Sequence, residues 1–175
     1  YMVRMSRILL VLCWVLAGNG TSAQVGDSSW TPPRMTHHDE LTLLVGYQQG
    51  RHGFAEIGLG RNQYGSNHHL YDIAYYLGAE LRVDRPELVG IKVGAYVDGG
   101  FAMGMQLIQY IEGKDRCTVI RPEMGIGLFK FKVTYAYNIG LSSERLPGIN
   151  THMVSLTYAF RTLRLPGDDE KRPVR

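Results

Sequence analysis

From residue 40 onward, apolar and polar residues alternate with a period of two, the spacing of a half-buried β-strand. Residues 69–83 show it most clearly. Tyr71, Ile73, Tyr75, Leu77, Ala79, Leu81 and Val83 fall on one face, and Asp72, Ala74, Tyr76, Gly78, Glu80 and Arg82 on the other. The same reading predicts strands over about 40–49, 53–62, 69–83, 88–98, 102–111, 116–127, 129–139 and 151–163. Asp84-Arg85-Pro86-Glu87, Gly99-Gly100 and Glu112-Gly113-Lys114-Asp115 punctuate them as turns. Pro122 falls inside the sixth strand and implies a bulge or an unpaired ladder position. In the fifth strand Met103, Met105 and Leu107 oppose Gln106, Ile108 and Tyr110 with little contrast between faces. The longest connection runs from Gly140 to Asn150. Eight strands of about ten residues joined mostly by short turns predict an all-β, eight-stranded antiparallel up-and-down barrel.

Alternation does not say which face is inside, because a soluble sandwich and a membrane barrel both alternate. The polar face discriminates. It carries Gly46, Gly58, Gly60, Gly78, Gly90, Gly94, Gly125 and Gly127. Inside a narrow closed sheet, glycines leave room for long neighbouring side chains. The same face holds the acids Glu56, Asp72, Glu80, Asp98 and Glu123 and the bases Arg82, Lys92, Arg121, Lys130 and Lys132. Enclosed charges must be paired, and this set is balanced, so these ten residues are expected to form a lumenal charge network. On the apolar face stand Tyr47, Tyr71, Tyr75, Tyr135, Tyr137, Tyr158 and Phe160, several near strand ends. They suit the aromatic girdles of a transmembrane barrel, contacting lipid at its interfaces.

The chain has 175 residues, room for one domain. Residues 1–23 are expected to be a signal peptide with a few upstream residues: Arg7, the apolar run from Ile8 to Ala17, and small residues up to Ala23. A polar extension over 24–39, the barrel over 40–164 and a charged tail over 165–175 complete the expected organisation. Removing Arg4 and Arg7 with the leader leaves 17 bases against 16 acids, so no basic excess points to nucleic acid. Cys13 falls in the leader, so Cys117 lacks an intramolecular disulfide partner. Ten tilted residues per strand match the height of an outer-membrane hydrocarbon layer. The expected location is therefore the cell outer membrane, as a monomer with lipid as its partner.

Candidate chemistry is sparse. The pairs His37-His38 and His68-His69 read as solvated loop histidines, since adjacent residues of an extended chain point apart and no acid or thiol completes a metal set. Cys117 reads as a small packing residue, and Met103 and Met105 as outward apolar positions. Ser142, Ser143, Glu144, His152 and Ser155 surround the last loop and offer the alternative of a rim-located lipid hydrolase or acyltransferase. A soluble periplasmic lipocalin-like binder with reversed faces is the other alternative. The preferred expectation is a structural or surface-binding barrel with a packed polar lumen, no catalytic centre, no cofactor and no metal. With both termini in the periplasm, the odd-numbered connections face outward.

The stretches Arg121-Pro122-Glu123-Met124-Gly125-Ile126-Gly127, Phe129 to Asn138 and His152 to Tyr158 resemble small outer-membrane β-barrel proteins of Bacteroidota. The resemblance covers about residues 88–163 and implies a fold and a compartment, with nothing about a ligand. The chain departs from the usual barrel ending, because Phe160 is followed by fifteen further residues.

Overall fold

In a computed structural model of the chain, residues 34–66, 71–128, 130–142, 146–166 and 170–173 are described. Ten strands form one antiparallel sheet: β1 (Arg34–Gln49), β2 (Gly53–Ser66), β3 (Tyr71–Arg82), β4 (Arg85–Asp98), β5 (Gly100–Glu112), β6 (Asp115–Leu128), β7 (Phe131–Tyr137), β8 (Ile139–Gly140), β9 (His152–Arg164) and β10 (Glu170–Pro173). Each strand from β1 to β7 pairs with the next in sequence, β7 pairs with β9, and β9 pairs back with β1, closing the sheet into a ring.

Two pairs of strands are single staves with an interruption. β7 and β8 meet β6 in the same register, Glu123↔Ala136 on one side and Val119↔Gly140 on the other. The gap between them falls opposite Arg121 and Pro122. Proline has no N–H to give to a ladder, so β6 cannot pair fully on that side at Pro122. On its other side β6 runs without a bulge, and Pro122 stands opposite Met105 on β5. The unpaired ladder position expected at Pro122 is therefore on the β7–β8 side. The second interrupted stave is β9 and β10. β10 pairs with Arg34–His37 of β1, while β9 pairs with Glu40–Gln49. His37 is already paired with Gly65 of β2 on its other side, so β10 lies along the same edge of β1 as β9. The ring consequently has eight staves.

The structure differs from the sequence reading at several borders. Residues 34–39, expected as part of a polar extension, belong to β1, and residues 170–173 of the expected tail form β10. Polar residues occupy these strands because backbone ladder bonds, which do not depend on side-chain character, extend beyond the apolar band. Arg85-Pro86-Glu87, expected in a turn, already lie in β4; Pro86 is tolerated as the second residue of the strand beside the register shift at Leu81/Arg82. The expected leader, residues 24–33, His68-His69, Ser143 and Glu144 lie outside the described residues.

Burial assigns the faces. The apolar positions point away from the ring: Ile57, Leu77, Ile91, Val93, Met103, Met105, Ile126 and Leu156 are all exposed. The opposite face is buried and largely polar. Strand five follows the same rule, with Met103, Met105 and Leu107 outward and Gln106, Ile108 and Tyr110 inward. Its contrast was weak because its inward face contributes to an apolar cluster. That cluster, Phe54, Leu88, Ile108, Tyr110, Cys117, Val119 and Leu146, fills the end of the ring nearest the β1–β2, β3–β4 and β5–β6 turns. A second cluster, Leu44, Ala74, Tyr76, Tyr96 and Ala159, lies toward the opposite end. Between them lies an ionic layer.

Candidate functional site

The ionic layer is built where inward glycines face long side chains. A Cβ on Gly46 would collide with the Glu56 side chain, and one on Gly94 would stand 2.6 Å from the Tyr76 ring. These glycines make the interior volume that the charged groups occupy. Arg121, 1% exposed, is at the centre. Its Nη2 donates to Glu80 Oε1 at 2.8 Å, its Nη1 to Glu80 Oε2 at 2.9 Å, and its Nε to Asn138 Oδ1 at 2.7 Å. Lys92 lies between Glu56 and Glu80, at 3.1 Å from Glu80 Oε2 and in hydrogen-bond contact with Glu56. Tyr110 donates its hydroxyl to Glu80. Gln48 donates to Glu56 at 2.5 Å and to Glu80 at 2.9 Å, and its oxygen accepts from Arg121 at 2.9 Å. A neighbouring group joins Lys132 to Glu123 at 2.6 Å, with Gln106 and Thr134 donating to the same carboxylate. The Lys132 ammonium also stands 4.1 Å from the centroid of the Tyr96 ring.

Of the ten charges expected in one network, the structure therefore joins Glu56, Glu80, Lys92 and Arg121 directly and places Glu123 with Lys132 beside them. The other four are elsewhere. Arg82 makes a two-pronged pair with Asp84 of the β3–β4 turn, at 2.8 and 2.7 Å. That guanidinium holds the Asp84 carboxyl down to about 2. Lys130, partly exposed, lies between β6 and β7 and reaches Glu40 Oε1 at 3.3 Å. Asp72 and Asp98 stand opposite one another on β3 and β4 at the far end of the ring. Asp72 Oδ2 accepts a hydrogen bond from Asn62, and Asp98 Oδ1 accepts one from Gly100 N. Sequence reasoning missed Glu40, Gln48, Asn62, Tyr110 and Asn138. The first three share the parity of Gly46 on β1 or of Glu56 on β2, which was the available signal. Compared with known protein families, curated proteins and solved structures, the chain matches none.

The expected interfacial aromatics all take the outward parity. Tyr47, Tyr135 and Tyr137 lie near the end with the long 141–151 connection, and Tyr71, Tyr75, Tyr158 and Phe160 toward the other end. All but the half-buried Tyr71 are exposed. Tyr135 and His152 are hydrogen-bonded at 2.5 Å, and Tyr158 packs edge-on against Phe160 at 4.6 Å.

Of the rim residues, Ser142, His152 and Ser155 are described, and among them no serine is hydrogen-bonded to His152. His152 faces outward onto Tyr135 and Tyr137. Ser155 faces inward beside Thr157, and Ser142 donates to Cys117 Sγ at 3.4 Å. His37 and His38 part as extended backbone requires, the first meeting Tyr71 at 2.9 Å and the second stacking on Tyr64. Among the described residues no three His, Cys, Asp or Glu side chains stand together as a metal set.

Residues 146–150 of the last connection turn inward. Leu146 is buried in the apolar cluster. Asn150 clamps the β1–β2 turn, accepting from His52 N at 2.8 Å and donating to His52 O at 2.7 Å. Turn, loop and cluster together stopper this end of the ring.

Proposed function

We propose that the chain is an exported outer-membrane β-barrel, inserted as a monomer, with a structural or surface-binding role rather than a catalytic one. The observation that carries this reading is the inversion of the faces. Apolar side chains project from a closed sheet, and charged side chains are enclosed within it, Glu56, Glu80, Glu123, Lys92, Arg121 and Lys132 in ion pairs. In water this arrangement would leave a continuous apolar surface without cover. In a bilayer it satisfies every requirement, because a closed ring has no unpaired edge and presents hydrocarbon to lipid. The aromatics near both strand ends suit the two headgroup interfaces. The paired interior and the stopper of Leu146 and Phe54 argue against passage of any sizeable solute. With the termini in the periplasm, the tight turns at 50–52, 83–84 and 113–114 and the last connection face outward and offer only a compact surface to a partner.

Migration on gels before and after heating tests the reading. The protein extracted in detergent is expected to run as a compact folded species unheated and to shift on boiling, and to fractionate with outer membranes. A chain that stays monomeric and soluble without detergent would overturn the proposal in favour of a periplasmic binder.

A further inference from the structure

Asn62 of β2 and Asp72 of β3 meet at the end of the ring away from the stopper. Both side chains are buried, Asn62 at 1% exposed and Asp72 at 7%. Asn62 Nδ2 donates to Asp72 Oδ2 at 3.3 Å. The other oxygen of each group, Asn62 Oδ1 and Asp72 Oδ1, has no hydrogen-bond partner and less than 1 Å² of accessible surface. That leaves no room for a water or a ligand atom beside either oxygen. Buried polar atoms are normally satisfied, and two oxygens satisfy each other only when one carries a hydrogen. A carboxylate and an amide make one hydrogen bond in this relation. A carboxylic acid and an amide make two and close a ring.

The surroundings favour the neutral acid. Asp98 of β4 is the direct cross-strand neighbour of Asp72 and is itself buried. Like charges in that relation repel, and burial makes the repulsion costly. Glu40 of β1 adds a further negative charge and Lys132 of β7 a positive one. Lys132 is held by Glu123, and Lys130 by Glu40. Among the described residues no base lies within ion-pair distance of Asp72. Tyr64 stands directly opposite Asp72 on β2 with His38 of β1 stacked on it, and Tyr96 of β4 shares the inward face with Asp98. β5 and β6 contribute Gly100 and Gly127 to the adjoining wall. Asp98 differs from Asp72, since its Oδ1 already accepts from Gly100 N at 2.9 Å and neither of its oxygens is buried without a partner.

We propose that Asp72 holds a proton on Oδ1 near neutral pH and donates it to Asn62 Oδ1, so that the two side chains form a closed acid–amide pair. One proton taken from water then satisfies both orphan oxygens and removes one of two adjacent buried charges. The pair acts as a pH-sensitive latch. When the proton leaves, a carboxylate faces the amide oxygen and a second carboxylate. The ladder joining Tyr64 and Gly65 to Asp72 and Tyr71 then loosens at this end of the ring. An unfolded aspartate, with an ordinary value of about 3.9, has already released its proton at neutral pH. Stability contributed by the latch is therefore complete at acid pH and is lost as pH rises through the point where Asp72 ionises in the fold. The inference does not depend on the membrane reading, because the pair is enclosed by protein whatever surrounds the ring.

Carbon-13 NMR of the full chain in detergent micelles, labelled at the aspartate side-chain carboxyl carbons, tests it. At about pH 6, well above the ordinary aspartate value, one aspartate is expected to resonate as a carboxylic acid, whereas Asp84, held by Arg82, resonates as a carboxylate. The acid signal is expected to vanish in Asp72→Asn and to remain in Asp98→Asn. The second variant keeps the assignment testable if the first does not fold. Between about pH 6 and about pH 9 the denaturant midpoint of the unaltered chain is expected to fall. That of Asp72→Asn should fall less, because its amide makes the same two bonds without a proton. The proposal is overturned if no aspartate is protonated at about pH 6, or if the acid signal survives Asp72→Asn or is lost in Asp98→Asn. An equal fall of both midpoints would overturn it as well.

Discussion

Arg121 shows what a single buried residue does in this interior. Its guanidinium is enclosed, and its fork serves Glu80 on one side and Asn138 on another. Replacing one member of a buried pair strands its partner, which costs about 3–5 kcal/mol. Arg121→Met is therefore expected to destabilise the fold by about that amount, because Glu80 keeps only Lys92, Gln48 and Tyr110. Adding Glu80→Gln to Arg121→Met is expected to recover part of the loss, since Lys92 still holds Glu56. Denaturant unfolding of the three variants in detergent, followed by intrinsic fluorescence, checks both statements. Equal stability of Arg121→Met and the parent chain would show that the layer fills space without contributing ionic stabilisation. At this scale the sequence was informative about parity and silent about partners. Every one of the ten expected charges has the inward parity, yet Arg82 turns to Asp84 in its own hairpin, and Lys130 turns to Glu40. Pairing depends on side-chain reach across staves that lie far apart in sequence. Arg121 and Gln48 are 73 positions apart.

Among the elements, the interrupted stave formed by β7 and β8 is the most instructive. Pro122 removes one ladder donor from β6, and the chain opposite is freed there. Asn138 uses that freedom. Its backbone N–H donates to Thr151 O at 2.9 Å, its side-chain oxygen accepts from Arg121, and its amide donates to Asn150 O at 2.7 Å. One residue thus couples the ionic layer to the loop that stoppers the ring. Asn138→Ala is expected to cost about 1–3 kcal/mol, the usual penalty for leaving buried polar groups without a partner. It should also raise the rate of proteolytic cleavage within 141–150 more than cleavage at the 83–84 turn. Limited proteolysis with fragment mapping measures this, and an unaltered cleavage pattern would mean that the loop is held by Leu146 and Asn150 alone. The strand positions were legible because a period of two survives wherever one face is apolar and the other polar. The borders at Arg34 and Glu170 were not legible, since ladder hydrogen bonds continue where the apolar contrast has ended. The inward position of Leu146 was also hidden. Only the apolar cluster at the ring end, built from strands far apart in sequence, explains why Leu146 is buried.

For the molecule as a whole, the decisive quantity is the sign of the response to charge on the outer face. Val93 sits mid-strand on β4, opposite Leu77 on β3 and Leu107 on β5, and is half exposed. If water surrounds the ring, Val93→Arg exchanges an exposed apolar side chain for a solvated one. Stability should then change within about 0.5 kcal/mol, as for ordinary surface substitutions, and solubility should improve. If lipid surrounds it, the guanidinium must enter hydrocarbon near the midplane at a cost of about 2–4 kcal/mol. Phe160→Arg, close to an interface, should cost about 0–1 kcal/mol. The membrane reading thus predicts a gradient with depth, steep at Val93 and shallow at Phe160, in folding free energies measured in phospholipid vesicles. The same pair in detergent-free buffer should show no gradient, because the unaltered protein should not remain dispersed there. Equal costs at the two sites would remove the membrane from the explanation, whatever the chain's fractionation. A depth-dependent cost is hard to obtain otherwise, since both residues belong to the same sheet face and neither is enclosed by protein. On the membrane reading, the inverted faces, the placing of the aromatics and the ion pairs of the interior would follow from one condition: an apolar solvent outside this ring, so that its polar groups must find each other within.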